Sequence, residues 1–207
     1  DIIVTFGAAA VQRLGALVDD ERPHVQCAVA RVLGRIGSPE AVPMLQPLLR
    51  RNDPRVMRSV ITALANINDP AAARAIQTVL RSSTGEQRRA VVDALVSERD
   101  ARVVPMLVRI LEESEPLGKD HTVVLDTLGA LKVVHTDTAV RPIDAVMRRK
   151  RWFARSKNLA LKRTSVDALA SIGSDASREA LAQAAKDGDR TLRKLAQSRL
   201  RDGYPAK

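Results

Sequence analysis

Aromatic residues are nearly missing from this chain, which has one Trp, one Tyr and two Phe among its 207 residues. Sandwiches and barrels draw on aromatic and β-branched strands, so this scarcity, beside abundant Ala, Leu, Val and Ile, points to helices packed through small aliphatic side chains. Cysteine occurs once, at Cys27, which excludes an intramolecular disulfide framework and removes any need for an oxidising compartment. A cytoplasmic location is therefore expected. No apolar run approaches the ~18 residues of a bilayer-spanning helix, and no signal-peptide pattern opens the chain. It starts at Asp1 without Met, which leaves room for a removed targeting segment or an upstream domain. Its length still suffices to bury a sizeable core.

Residues that would converge for catalysis are also scarce. His24, His121 and His135 are far apart and show no metal-ligand spacing; each reads as a helix-start or loop residue. Cys27 falls on a segment that reads as core, so a buried, inert thiol is expected rather than a nucleophile. No Gly-rich phosphate loop is present. The runs Asp19-Asp20-Glu21 and Glu112-Glu113-Ser114-Glu115 lack calcium-loop spacing and read as solvated turns. Neither a catalytic residue, nor a metal, nor a cofactor, nor a small-molecule substrate is assigned.

What the chain does have is positive charge in one place. The net charge is +10, and residues 148 to 163 contain Arg148, Arg149, Lys150, Arg151, Arg155, Lys157, Lys162 and Arg163 without one acid. The remainder holds 26 Lys and Arg against 24 acids, so it is nearly neutral.

It also has a period. RVLGRIGSPEAVPMLQPLL, TALANINDPAAARAIQTVL and DALASIGSDASREALAQAA align without gaps, and the register extends through Leu33, Leu64, Leu95, Leu128, Leu169 and Leu200. The spacings are 31, 31, 33, 41 and 31 residues. Within each unit one set of apolar residues has helical spacing, as in Val42, Leu45 and Leu49, then Ala73, Ile76 and Leu80, with Val11, Leu14 and Val18 one period earlier. A second set runs through Val25, Ala28, Val29, Leu33 and Ile36, and again through Val56, Ser59, Val60, Leu64 and Ile67. Each unit is thus predicted to be a helical hairpin.

Punctuation supports this. Gly37 and Gly173 end second helices, where positive φ is wanted, and Ser38-Pro39 and Asp69-Pro70 open the next first helix. Asn52-Asp53-Pro54 supplies the turn and N-cap inside a unit. Pro43 and Pro105 are expected to bend first helices near their starts.

The stretches Gly37-Ser38-Pro39-Glu40-Ala41-Val42-Pro43-Met44-Leu45 and Asn52-Asp53-Pro54-Arg55-Val56-Met57-Arg58 resemble the bacterial HEAT-repeat family, especially its short phycobilisome-lyase-like subgroup. The resemblance covers nearly the whole chain. It implies an all-α fold, an α-solenoid of about six stacked hairpins, with second helices lining a concave, commonly partner-binding, face. One HEAT-repeat domain over 1–207 is expected, with repeats near 1–37, 38–68, 69–99, 100–136, 137–173 and 174–203. Phe6-Gly7 resembles Ile36-Gly37, so the chain reads as opening on the end of a second helix, a C-terminal fragment of a longer bacterial protein. Arg178 and Arg199 replace apolar residues in the sixth unit, which suits a polar cap.

Departures from the period mark additions. Repeat four gains residues around 113–118, and repeat five gains 10, most of them at 150–157 between helices ending near Arg149 and resuming near Asn158. That insertion holds Trp152 and Phe153 among cations, a composition suited to gripping a protein groove, stacking on bases or meeting an anionic membrane, and equally to folding back over the hairpin end while the arginines face water. The partner-binding candidates are Arg148, Arg149, Lys150, Arg151, Trp152, Phe153, Arg155 and Lys157. A second set follows the period: Arg58 and Arg89 lie one repeat apart, as do Arg163 and Lys194, with Arg88, Lys162 and Arg193 in the adjacent slot. These form a predicted concave ladder, or else pair with acids of neighbouring turns. Gln26, Cys27 and Met57 hold the equivalent slots in the N-terminal half.

The expected function is a non-catalytic scaffold that binds another protein through its concave face and basic insertion. Nucleic acid or anionic lipid at the basic strip is the alternative. Among enzymes on related scaffolds, a lyase-type subunit is a minor alternative, although nothing identifies a bilin pocket. A helical-repeat DNA glycosylase would need aromatic and acidic residues in a basic channel, and the lone Trp152 lies in an insertion.

Overall fold

The computed structural model describes residues 2–51, 53–83, 85–96, 101–149 and 154–201, the side chains of residues 2–6 and 8 excepted. Among these, every regular element is helical. The α-helices are α1 Ile2–Gly15, α2 Pro23–Ile36, α3 Val42–Leu45, α4 Pro54–Ile67, α5 Pro70–Ser82, α6 Gly85–Val96, α7 Val104–Glu113, α8 His121–Val134, α9 Val140–Met147, α10 Arg155–Ile172, α11 Asp175–Asp187 and α12 Arg190–Arg201. They follow one another as first and second helices of hairpins, an all-α solenoid.

The periodic leucines form the core. Leu33, Leu64, Leu128 and Leu169 are fully buried and Leu95 nearly so. Each contributes roughly 1.5–3 kcal/mol by leaving water. Leu200, in the last hairpin, is half-buried. The first-helix sets are buried as well, including Leu45, Leu49, Ile76, Leu80, Leu107, Ile143 and Met147. The second-helix face is rotated from expectation. In α2 it is Gln26, Val29, Ala30, Leu33 and Gly34, whereas Ala28 is exposed and Cys27 only half-buried. The thiol expected to be buried therefore lies at the edge of the packed stripe.

Helix ends follow local chemistry. Gly37 and Gly173 take φ of 71° and donate their N–H to Leu33 and Leu169. Asn68 and His135 occupy the same left-handed position at the ends of α4 and α8, which no glycine signalled. Asp53 caps α4 by accepting from the N–H groups of Arg55 and Val56, and Asp69 caps α5 through Ala71. Gly7 lies inside α1, so the helix end expected there is absent; helical spacing continues through it.

The proline bends take a different form. Pro43 and Pro47 stand four residues apart, and residues 39–50 break into a 3-10 turn, the single turn α3 and a second 3-10 stretch. Each proline lacks an N–H and crowds the carbonyl four residues back, so a continuous α-helix cannot pass both. Pro105 is the second residue of α7, preceded by the 3-10 turn Ala101–Val103. Its missing N–H is one that a first turn leaves unpaired anyway.

The chain folds as two compact units, residues 1–109 and 110–207. In the N-terminal unit α4 packs between α2 and α6. In the C-terminal unit α10 packs against α8, α9 and α12, and α12 against α11. No described helix is long and apolar enough to cross a membrane.

Candidate macromolecular interface

The basic segment after α9 begins with two arginines of opposite fate. Arg148, at the C-terminal end of α9, donates from Nε to both carboxylate oxygens of Asp144, at 3.0 and 2.9 Å, and from Nη1 to Asp187 at 2.8 Å. These hydrogen bonds, with Asp144 first and Asp187 second, raise the guanidinium's pKa and lower that of Asp187. Arg148 is thus a brace between the fifth and sixth hairpins, with Nε and Nη1 both engaged by carboxylates. Arg149 is exposed and makes no side-chain hydrogen bond or ion pair among the described residues.

Lys150, Arg151, Trp152 and Phe153 lie outside the described residues. The helix resumes earlier than expected, at Arg155, and α10 has 18 residues where α2, α4 and α8 have 14. Part of the added sequence is therefore an extra helical turn, and Arg155 and Lys157 stand on it, not in a loop. Lys157 is exposed and donates to the carbonyl of Gly118 at 3.0 Å.

That carbonyl belongs to the longer turn of the fourth hairpin, which is internally braced. Asp120, fully buried, accepts the N–H of Glu115; Ser114 Oγ donates to the carbonyl of Ile110; and His121 Nδ1 meets the Pro116 carbonyl at 2.8 Å. Ser114 is buried too, so this acidic run is not simply a solvated turn.

The ladder separates into two slots. Gln26 and Met57 are buried, Arg88 is half-buried with Nη1 3.4 Å from the Ser83 carbonyl, and Lys162 is buried against Asp189. The next residue points outward in α4, α6, α10 and α12, where Arg58, Arg89, Arg163 and Lys194 are exposed, while Cys27 in α2 is half-buried. One residue turns a helix by about 100°, so Arg58 and Arg163 face out where Met57 and Lys162 face in. Arg193, the inner-slot residue of α12, is exposed as well. Arg58 donates weakly to the Pro54 carbonyl at 3.4 Å and, with Asp93, lines a shallow groove of about 250 Å³ between α4 and α6.

Asp189 explains the fate of Lys162. Its Oδ1 accepts the N–H groups of Thr191 and Leu192 at the start of α12, while Oδ2 holds the ammonium. Burial pushes its carboxyl up, but the Lys162 and backbone hydrogen bonds outweigh this and lower its pKa. Arg199 is similarly occupied by Asp167, with Nε 2.8 Å from Oδ1. Arg163, Arg190, Arg193 and Lys194 remain exposed without an ion pair among the described residues, and α12 itself contains no acid.

A second site was not marked by sequence reasoning. Between α7 and α9 a cleft of about 350 Å³ is lined in part by Glu112, Arg141, Ala145 and Arg149. The four-residue spacing of Arg141, Ala145 and Arg149 was the available signal. No three His, Cys, Asp or Glu side chains converge to hold a metal among the described residues.

The model for HEAT repeats matches residues 11–95 and 48–125, together more than half of the chain. The chain belongs to the HEAT-repeat family. Among solved structures, this HEAT-repeat chain is similar to human deoxyhypusine hydroxylase in complex with glycerol, at 18% identity over 93% of this chain and 83% of that one, TM-score 0.45. It is also similar to the complex of CpcE and CpcF of phycocyanin lyase from Nostoc sp. PCC7120, at 24% identity over 94% and 76%, TM-score 0.38. A designed armadillo repeat protein in complex with the peptide (KR)4 aligns at 14% identity over 91% and 97%, TM-score 0.38. No curated protein sequence matches the chain significantly.

Proposed function

We propose that this HEAT-repeat chain is a non-catalytic interaction module that binds an acidic protein partner through the outward cations of α10 and α12. The observation that carries this reading is the sorting of charges in the C-terminal unit. Arg148, Lys162 and Arg199 are each held by a carboxylate, while Arg163, Arg190, Arg193 and Lys194 stand exposed and unopposed among the described residues. Cations needed only for stability have partners within the fold; the remainder are left to face outward. Trp152 and Phe153, between Arg149 and Arg155 in sequence, add the residue types that dominate interface energetics.

A pull-down comparing wild type, Arg163→Glu/Arg193→Glu/Lys194→Glu and a Gly-Ser replacement of residues 150–153 tests this. The replacement stops short of Arg155 so that α10 stays intact. Loss of the partner in the triple variant supports the reading, and retention refutes it. Multiple turnover of a substrate by the purified chain would overturn the non-catalytic assignment. The same acid-free surface of α12 would also suit nucleic acid. Binding would then weaken steeply with salt, with a log-log slope of about −0.7 to −0.9 per phosphate contacted.

A further inference from the structure

The cleft between α7 and α9 is lined by none of the second-helix cations, and its chemistry is distinct. Leu111 of α7 and Pro142, Ala145 and Val146 of α9 make it largely apolar. Arg141 and Arg149 both line it, the first in the opening turn of α9 and the second two residues past its last, so they flank a helix of eight residues, about 12 Å long. Both are exposed, and neither makes a side-chain hydrogen bond or ion pair among the described residues. Ala145 stands midway, and its small side chain leaves the space between them. Pro116 forms part of the wall, on the turn braced by Asp120, Ser114 and His121, so the cleft is preformed.

We infer that this cleft docks an extended acidic peptide, with acids at its first and fifth positions and an aliphatic residue at its third. In an extended strand those three side chains point the same way, and four steps of about 3.3 Å span about 13 Å, close to the length of α9 that the arginines flank. The two carboxylates meet Arg141 and Arg149 as charge-assisted hydrogen bonds. The aliphatic side chain fills the space over Ala145 against Pro142 and Val146. Glu112, the one acid lining the cleft, accepts peptide N–H groups and disfavours further acids at the second and fourth positions. The volume, about 350 Å³, suits one side chain and a short length of backbone, not a folded surface.

The test is fluorescence polarisation of labelled acetyl-Glu-Gly-Leu-Gly-Glu-amide titrated with the full 207-residue chain. Saturable binding is expected, weakened about tenfold or more by Arg141→Glu, by Arg149→Glu and by Ala145→Trp, which blocks the trough from an exposed position. Replacing the peptide's Leu with Gly should weaken binding about tenfold, whereas Arg163→Glu/Arg193→Glu should leave it within about twofold. Circular dichroism confirms that each variant is folded. Absence of saturable binding overturns the inference. So does equal binding of the Gly peptide, or an equal loss in Arg163→Glu/Arg193→Glu, either of which would mean general charge attraction. The outcome is independent of the second-helix interface, because the two sets of variants share no residue.

Discussion

The guanidinium of Arg148 lies 2.8 Å from the carboxylate of Asp187, thirty-nine residues later in the chain. Through this contact the most basic stretch of the sequence starts with a residue that holds two hairpins together, while its neighbour Arg149 opens onto a cleft. Net charge alone gives both residues the same role. Geometry gives them different ones.

Arg148→Ala should therefore lower stability by about 1 kcal/mol, the upper range for a partly exposed ion-pair network, while Arg149→Ala should leave it within about 0.5 kcal/mol. Urea unfolding of the two variants measures the difference. Equal stabilities would mean that the Arg148 brace is energetically silent.

Lys162 and Asp189 make a stronger case, because the lysine side chain is only 6% exposed. Asp189→Ala removes the partner of a buried ammonium and the N-terminal cap of α12 together. The expected cost is about 2–3 kcal/mol, reduced from that of a fully buried pair because Asp189 is itself one third exposed. Lys162→Met/Asp189→Asn keeps the cap and removes both charges, and should be markedly more stable than Asp189→Ala. Thermal melts of the two proteins decide it, and the opposite order would refute the argument.

Acid should erode stability in a defined window. The Asp53 carboxyl is lowered from 3.8 to about 2, first by the side-chain hydrogen bond from Arg55 and then by the backbone N–H of the same residue. Asp20 is lowered to about 2 in the same way by Arg22. A depressed folded-state pKa contributes stability that is present above the unfolded value and lost as pH falls through the folded one. Denaturation midpoints should thus decline between about pH 4 and pH 2, and less steeply in Asp53→Ala, which no longer has that proton to bind.

Two glycines should respond in opposite directions to alanine. A Cβ on Gly34 would stand 2.6 Å from Ala63 Cα and 2.8 Å from its Cβ, where α2 crosses α4. Backbone cannot yield cheaply, so Gly34→Ala should destabilise by about 1–3 kcal/mol despite its better helix propensity. Gly129, inside α8, has nothing within 4 Å of an added Cβ. Gly129→Ala should stabilise by about 0.5–1 kcal/mol, and chemical denaturation of both variants checks the signs.

Much of the fold was legible because a repeat states its rules several times over. Leu33, Leu64, Leu128 and Leu169 recur in register and are all buried, and Gly37 and Gly173 end their helices with the backbone geometry that their position demands. Asp53 and Asp69 cap helices through bonds two or three residues away, a range that a local pattern captures. Pro47 was the missed local signal: four residues after Pro43, it turns an expected bend into a broken helix.

Local chemistry, repeated at about 31 residues, thus determined the hairpins, their caps and the leucine core. Tertiary structure alone decided which cations are available to a partner. Lys162 and Arg163 are neighbours of like charge, yet one is buried on Asp189 and the other exposed, because a single helical step turns a side chain by about 100°. Asp187, Asp189 and Asp167, which hold Arg148, Lys162 and Arg199, lie 27 to 39 residues away in sequence and come within reach only when one hairpin stacks on the next.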